Sequence, residues 1–308
     1  MDLRIYVLNV GKGNCVVVPF PSGRLSVVDI DDSHIPDEEE LVEDISGVKK
    51  MPLTHPVDWI CDQFPNDDVF RFILTHPDMD HMSGLSRLSD EKPIKNFWSV
   101  ANTKEMSEGD FENGPYSYED WVAYKNYKAG LKGNTALGPL REHTSDCCWV
   151  QDGIRILSPD KAIVDQANEE EEYNHASYVL SIRHENGRRV ILGGDASREA
   201  LDNTAAYYKT SYDKQAFDRL RGSVVVAPHH GSKNNTSKGF MDAVSPDAVV
   251  APVQWGADYD RDFYRTYGEV FPTKTSGLIC IEMRGNEKRE VAIWTEKSRS
   301  WKVIRKDK

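Results

Sequence analysis

Six residues, HPDMDH from His76 to His81, close the apolar run VFRFILT. Two imidazoles and two carboxylates in so short a turn repel one another or titrate awkwardly unless something pairs with them. A cation is the simplest partner. Two other strand-like runs end in comparable residues: RRVILGG is followed by Asp195, and SVVVAP by His229 and His230. His76, Asp78, Asp80 and His81, joined by Asp195 and a histidine of the His229–His230 pair, make six nitrogen and oxygen ligands, enough for two first-row cations with positions left for water. Each cluster has a plainer explanation. A His-Asp pair in a loop is commonly a surface hydrogen bond or helix cap, an Asp after Gly-Gly a turn residue or N-cap, and two adjacent histidines a buried pair. Their joint occurrence at three strand ends, where a packed sheet meets solvent, favours a metal centre.

Strand ends need sheets to hold them. The first thirty residues divide into RIYVLNV, CVVVPF and RLSVVDI, separated by the hairpin-like turns GKGN and PSG. An acidic stretch runs to about Pro56, followed by the amphipathic VDWICDQF, the strand VFRFILT, a helix beginning in MSGLSRLSD and the strand KNFWSV. From Gly153 strands resume at IRILSP, SYVLSIRHE and RRVILGG. A polar helix near SREALDNTAAYYK precedes SVVVAP, and a helix at KGFMDAV precedes DAVVAP, GLICIEM and REVAIWT. Between the two runs lies an aromatic and polar insertion at about 102–149, with a helix expected in YSYEDWVAYKNYKAGLKG. Its Tyr118, Trp121, Tyr124 and Lys128 share one helical face. Core packing is the default explanation of that stripe, and a lid over a cleft the sharper one. The alternation makes this an α/β chain, read as a single domain over residues 1–308 that carries the insertion.

A net charge of −12 on 308 residues argues against a general nucleic-acid or anionic-membrane surface, though not against a narrow basic groove. From Asp29 to Asp44 there are nine acidic residues and no Lys or Arg, EEEE fills 169–172, and the tail from Arg284 to Lys308 has nine basic residues against four acidic ones. Solvated faces are the default for such runs, and a protein partner at the acidic stretch or the basic tail is the alternative. The five cysteines are odd in number and form no CxxC pair. Cys15 and Cys280 sit in apolar runs, as small buried hydrophobes do, which fits a reducing compartment. The N-terminus lacks the pattern of a signal peptide, and no run approaches the ~18 apolar residues of a membrane helix. A soluble, cytoplasmic protein with no membrane partner is expected.

The order of the segments resembles the metallo-β-lactamase fold superfamily, and within it the hydrolase domain of the ComEC/Rec2 DNA-uptake proteins. LNVGKGNCVVVPFPSGRLSVVDI is similar to that subfamily's opening, where a VGQGD-like turn joins two strands and the next ends in Asp, here Asp29. THPDMDHMSG resembles its HxDxDH-x-x-G motif. DGIRILSP, NHASYVL, ILGGDA and APHHGSKNNTS follow in the expected order, and PTKTSG resembles a segment near its C-terminus. The likeness leaves out the acidic stretch and the insertion. It implies a four-layer αββα sandwich and a hydrolase with two divalent ions, Zn²⁺ or Mn²⁺. By resemblance, His76 and Asp78 hold one ion, Asp80 and His81 the second, Asp195 bridges both, and His229 completes the second site. Asp80 and His230 are the implied catalytic residues, Asn174, Ser232 and Lys233 line the substrate side, and Asp29 orients a ligand from behind.

Three departures stand out. Asp78 takes the place of a His of the wider superfamily, Asn174 stands where a third-motif His would be, with His175 beside it, and a C-terminal ligand histidine has no match. A site this rich in carboxylate favours harder ions, which makes Mn²⁺ a rival to Zn²⁺. The implied reaction is attack by a hydroxide held between two cations on a phosphodiester of nucleic acid or nucleotide. A thioester, lactone or β-lactam hydrolase, and a non-catalytic interaction module that keeps the fold, are the alternatives.

Overall fold

The computed structural model describes residues 1–33, 50–144, 149–210, 219–254 and 257–305. Most of the acidic stretch, along with Cys147 and Cys148, lies outside the described residues.

Valine- and isoleucine-rich runs build two sheets, whose strands are numbered in chain order. The first sheet has the order β17 (Ser300–Arg305), β16 (Val291–Thr295), β15 (Ile279–Met283), β1 (Leu3–Val7), β2 (Val16–Pro19), β3 (Leu25–Val28), β5 (Val69–Leu74), β7 (Ile94–Ser99) and β8 (Thr135–Leu137). The second has the order β14 (Glu269–Pro272), β13 (Ala248–Ala251), β12 (Val224–Val226), β11 (Arg189–Leu192), β10 (Val179–Arg183) and β9 (Ile154–Ser158). A short pair, β4 (Ile30–Asp31) with β6 (Met82–Ser83), lies beside the first. Both sheets are mixed: β3, β5, β7 and β8 run parallel, as do β11 to β14, and the remaining neighbours are antiparallel. GKGN and PSG turn the chain between β1, β2 and β3, as hairpins should.

Alternation along the strands sorts side chains into layers. Val16, Val18, Ile73 and Trp98 face the second sheet and join a core with Ile156, Leu180 and Ile182. Their neighbours Val17, Phe72, Leu74 and Phe97 face outward onto Val57 and Ile60 of helix α1 (Pro56–Gln63), Leu85 and Leu88 of α2 (Leu85–Glu91), and Trp121 and Tyr124 of α3 (Tyr118–Lys128). Beyond the second sheet lie α4 (Lys161–Glu169), α5 (Arg198–Thr210) and the helix Lys238–Val244, which contribute Ile163, Leu201 and Phe240. The α/β class and the four layers, helices outside two facing sheets, are as expected. Arg71, on the inner face of β5, is fully buried, and its guanidinium binds Asp152 at 3.2 Å and Ser26 at 2.9 Å. A buried cation so satisfied pins the turn ahead of β9 to the first sheet.

The aromatic helix packs as core. Trp121, Tyr124 and also Tyr127 are buried, whereas Lys128 turns its ammonium to the Asn102 carbonyl at 3.1 Å. From the same helix, Asp120 accepts the N–H groups of Gly84 and Ser86 at 2.9 Å each, capping α2.

Candidate metal centre

Parallel strands of both sheets deliver their C-terminal ends to one place, and the site is assembled there. β3 ends at Asp29, which is buried in the left-handed region at φ 57°. A non-glycine residue in that conformation must be held by its surroundings. Its carboxylate accepts from the Thr75 N–H at 2.7 Å, the Thr75 hydroxyl at 2.8 Å and His81 Nδ1 at 2.8 Å. A carboxylate only accepts, so His81 carries its proton on Nδ1 and presents Nε2 inward. Thr75 Oγ1 spends its own hydrogen on Asp29, so it accepts from His76 Nδ1 at 3.1 Å, and His76 also presents Nε2. One buried carboxylate thus sets the tautomers of two histidines, whose rings lie 4.2 Å apart.

The second sheet supplies the opposing face. β11 runs into Gly193 and Gly194, and a Cβ on Gly193 would sit 2.7 Å from the Pro228 backbone. At Gly194, φ is +50°, and a Cβ would meet Ser177 Oγ at 2.5 Å and the Tyr178 carbonyl at 2.6 Å. Only glycine lets the ends of β11 and β12 and the start of β10 approach so closely. Asp195 follows; its N–H donates to Ser177 Oγ at 2.9 Å. Its Oδ2 lies 3.3 Å from His230 Nε2, 3.5 Å from His81 Nε2 and 3.8 Å from His229 Nδ1. Past β12, His229 and His230 both have positive φ, 48° and 55°. His230 Nδ1 faces the Pro252 carbonyl at 3.1 Å, which leaves its Nε2 toward Asp195, while His229 Nδ1 meets the Asp195 main-chain carbonyl at 3.3 Å.

Two groups of donor atoms result, His76–His81–Asp195 and Asp80–His81–His230, the atoms of each lying within 4.8 Å of one another. The nitrogens themselves show whether a cation fits. His76 Nε2 and His81 Nε2 are buried and have no hydrogen-bond partner among the described residues, although both face carboxylates. Buried polar atoms without partners are rare, and here a divalent ion would satisfy them. Charge points the same way. Burial opposes a charged His81, yet Asp195 and Asp29 outweigh it and hold its pKa well above the usual histidine value. Burial likewise opposes an ionised Asp195, but His230 and His81 keep its carboxyl well below the usual range. The pocket calls for positive charge.

The other expected residues fall around this centre. Asp78 Oδ2 lies 3.4 Å from His76 Nε2, and burial of its carboxyl is outweighed by His76 and Lys104, which hold its pKa down. Asp80 lies 3.4 Å from Lys12; burial is again outweighed, here by His81 and Lys12, and the pKa falls. The histidine of the second sheet that joins a donor group is His230, with His229 beside it on the solvent side. Asn174 is half-buried in the turn Tyr173–Ala176, and its carbonyl accepts the Ser177 N–H at 3.0 Å. His175 points to Glu170 at 3.7 Å. Ser232 donates its N–H to the His229 carbonyl at 2.9 Å, and Lys233, its side chain 59% exposed, reaches Asp258 at 3.4 Å.

Sequence reasoning missed Thr75, Ser177, Lys12 and Lys104. A hydroxyl residue directly before a ligand histidine is a signal for Thr75. For Lys12 the signal is a lysine between two glycines: a Cβ on Gly13 would stand 1.8 Å from the Asp80 carbonyl, so GKGN lies against the HPDMDH turn. No pattern in sequence marks Lys104.

No protein-family model and no curated protein matches the sequence. Among solved structures, the chain is similar to Igni18, a metallo hydrolase from the archaeon Ignicoccus hospitalis, at 12% identity over 91% of this chain and 98% of that one, with a TM-score of 0.47. It is similar to a variant of the β-hydroxylase CmlA of Streptomyces venezuelae at 12% identity and a TM-score of 0.49, over 92% of this chain but 54% of that one, so it spans about half of CmlA. A variant metallo-β-lactamase from Cronobacter sakazakii matches at 11% identity over 78% of this chain and 89% of that one, with a TM-score of 0.39. Likeness at these scores says nothing of what the chain acts on. Among the described residues, no helix is long and apolar enough to cross a membrane.

Proposed function

We propose that the chain is a metal-dependent hydrolase that cleaves phosphodiester bonds in a nucleic acid or nucleotide. The observation that carries the metal is the pair of buried, partnerless nitrogens, His76 Nε2 and His81 Nε2, facing carboxylates. The phosphodiester rests on the resemblance of the HPDMDH, GGDA and HHGS segments to the ComEC/Rec2-type hydrolase domain. His76, Asp78, His81, Asp195, Asp80 and His230 would hold the metal, with His229 flanking them. His81 is common to both donor groups but has one nitrogen to give, because Nδ1 is bound to Asp29, so it would serve only one of two cations. A divalent ion there supplies Lewis-acid activation of water near neutral pH and stabilises negative charge on the reacting phosphoryl group.

The chain's own groups do the rest. Asp29 and Thr75 keep both imidazoles in the tautomer that points inward. Asp80, on the open side, would orient the attacking water. His230, anchored on the Pro252 carbonyl, faces the same space.

Metal analysis by plasma mass spectrometry, on protein purified without a metal-binding tag and dialysed against Zn²⁺ or Mn²⁺, should find about two ions per chain. The loaded protein should then cleave bis(p-nitrophenyl) phosphate. Protein that stays metal-free against both ions would overturn the reading in favour of an interaction module. Metal-loaded protein that cleaves thioesters or lactones but no phosphodiester would overturn the substrate class alone.

A further inference from the structure

An acidic chain that takes an anionic substrate needs positive charge at the mouth of its site. Lys233 is paired with Asp258, which is not one of the carboxylates of the centre. Two other lysines stand at the mouth. Lys104, from the segment ahead of α3, donates to Asp78 Oδ1. Lys12, from the GKGN turn, lies 3.4 Å from Asp80 Oδ2. Each ammonium is therefore placed on one of the two carboxylates at the open side of the metal centre.

Each is also held by a tyrosine. Lys12 Nζ donates to Tyr116 Oη at 3.2 Å and lies 5.7 Å from the centre of that ring, and Lys104 Nζ lies 5.6 Å from the Tyr173 ring. Cation–π contacts keep an ammonium near a ring without fixing its direction. Both ammoniums sit on four-carbon stems with rotatable bonds, Lys12 half-exposed and Lys104 half-buried, so each can turn to another acceptor.

We infer that Lys12 and Lys104 are the anion-holding arms of the site, parked on Asp80 and Asp78 until a metal takes those carboxylates, and then turned to the non-bridging oxygens of a phosphoryl substrate. The inference rests on the metal-dependent reading above and deepens it. A carboxylate that faces a divalent cation has little attraction left for an ammonium, and the cation repels that ammonium at short range. The tyrosines hold the freed charges at the mouth, where an incoming phosphate diester or monoester meets both. The paired arrangement selects phosphorylated substrates over neutral esters.

Isothermal titration of inorganic phosphate into metal-free and metal-loaded protein tests this, with metal content measured on every sample. In the wild type, phosphate should bind measurably only once metal is present. K12Q and K104Q should each weaken phosphate about tenfold, the loss of one charge-assisted hydrogen bond, and K12R and K104R should restore most of it. K104Q should bind metal as tightly as the wild type or more tightly, since a competing ion pair is gone. Unchanged phosphate affinity in a metal-loaded K12Q/K104Q double variant would overturn the proposal while leaving the metal centre standing. Weaker metal binding by K104Q would make Lys104 a positioning residue for Asp78 and overturn it equally. A wild type without metal would instead sink the underlying reading.

Discussion

The two halves of the metal centre are built differently. The inner half, His76, His81, Asp195 and Asp29, is buried; hydrogen bonds from behind orient both imidazoles and the Asp29 carboxylate, and Ser177 holds the Asp195 main chain. The outer half is open: the side chains of Asp78 and His229 are about a third exposed, those of Asp80 and His230 less so. Its carboxylates are engaged by Lys12 and Lys104. Rigid, dehydrated donors suit holding a cation, whereas groups that can change partners suit handling water and substrate. The difference assigns most of the metal affinity to the inner half and the handling of water and substrate to the outer.

The strongest way to break that division is at Asp195, the carboxylate that faces His81, His229 and His230. Asp195→Asn keeps the size and removes the charge. It should strip most metal from the protein and lower hydrolysis at least about ten-thousandfold, with both losses moving together. Metal analysis alongside the rate on bis(p-nitrophenyl) phosphate reads the result. Retained metal with lost activity would place Asp195 in the outer half.

Asp80→Ala is the complementary cut. It should lower turnover about a hundred- to a thousandfold while the protein keeps its fold and most of its metal, because His76, His81 and Asp195 remain. Circular dichroism and metal content serve as controls. Wild-type turnover would remove the central chemical role given to the open side.

The same division explains what could be read from sequence. HPDMDH, GGD and HHG are legible because a ligand turn at a strand end compresses several rare residue types into a few positions. The glycines of GGD are dictated by contacts with Pro228, Ser177 and Tyr178. Buried strands such as β5 and β12 are legible from their apolar runs. Three strands that escaped notice, β8, β14 and β17, are edges of the two large sheets, and β17 exposes nearly its whole length, so its sequence carries no burial pattern. Helix α4 was missed between two strands, although its N-cap Asp160, which accepts the Ile163 N–H, was a usable signal. The aromatic stripe was legible as a stripe. That its neighbour Tyr127 packs in the core, while Lys128 reaches back to Asn102, depends on tertiary contacts. Lys104 reaches the site from far along the chain with no motif around it, and only the fold reveals it.

Asp29 sharpens the comparison without touching the cation. Asp29→Asn replaces an acceptor of three bonds by a group that must turn its own N–H₂ toward one of those donors, so the His81 or Thr75 contact is lost. Metal affinity should fall about ten- to a hundredfold, the usual consequence of losing the partner behind a ligand histidine. Competition with a fluorescent zinc chelator measures it. With metal supplied in excess, turnover should largely recover, because the outer half is intact. A turnover defect that excess metal does not repair would mean that the inner half also shapes the chemical step.

The smallest effect belongs to the rim. Tyr116→Phe keeps the ring beside Lys12 and removes only the hydroxyl that the ammonium donates to. If the ring does most of the holding, phosphate affinity of the metal-loaded protein should fall by no more than about two- to fivefold, the worth of one exposed hydrogen bond, with metal content unchanged. Calorimetry on the two proteins side by side resolves that difference. A loss as large as that of K12Q would show that the hydroxyl, not the ring, positions Lys12. Loss of metal would join the GKGN turn to the inner half, through the backbone contact between Gly13 and Asp80.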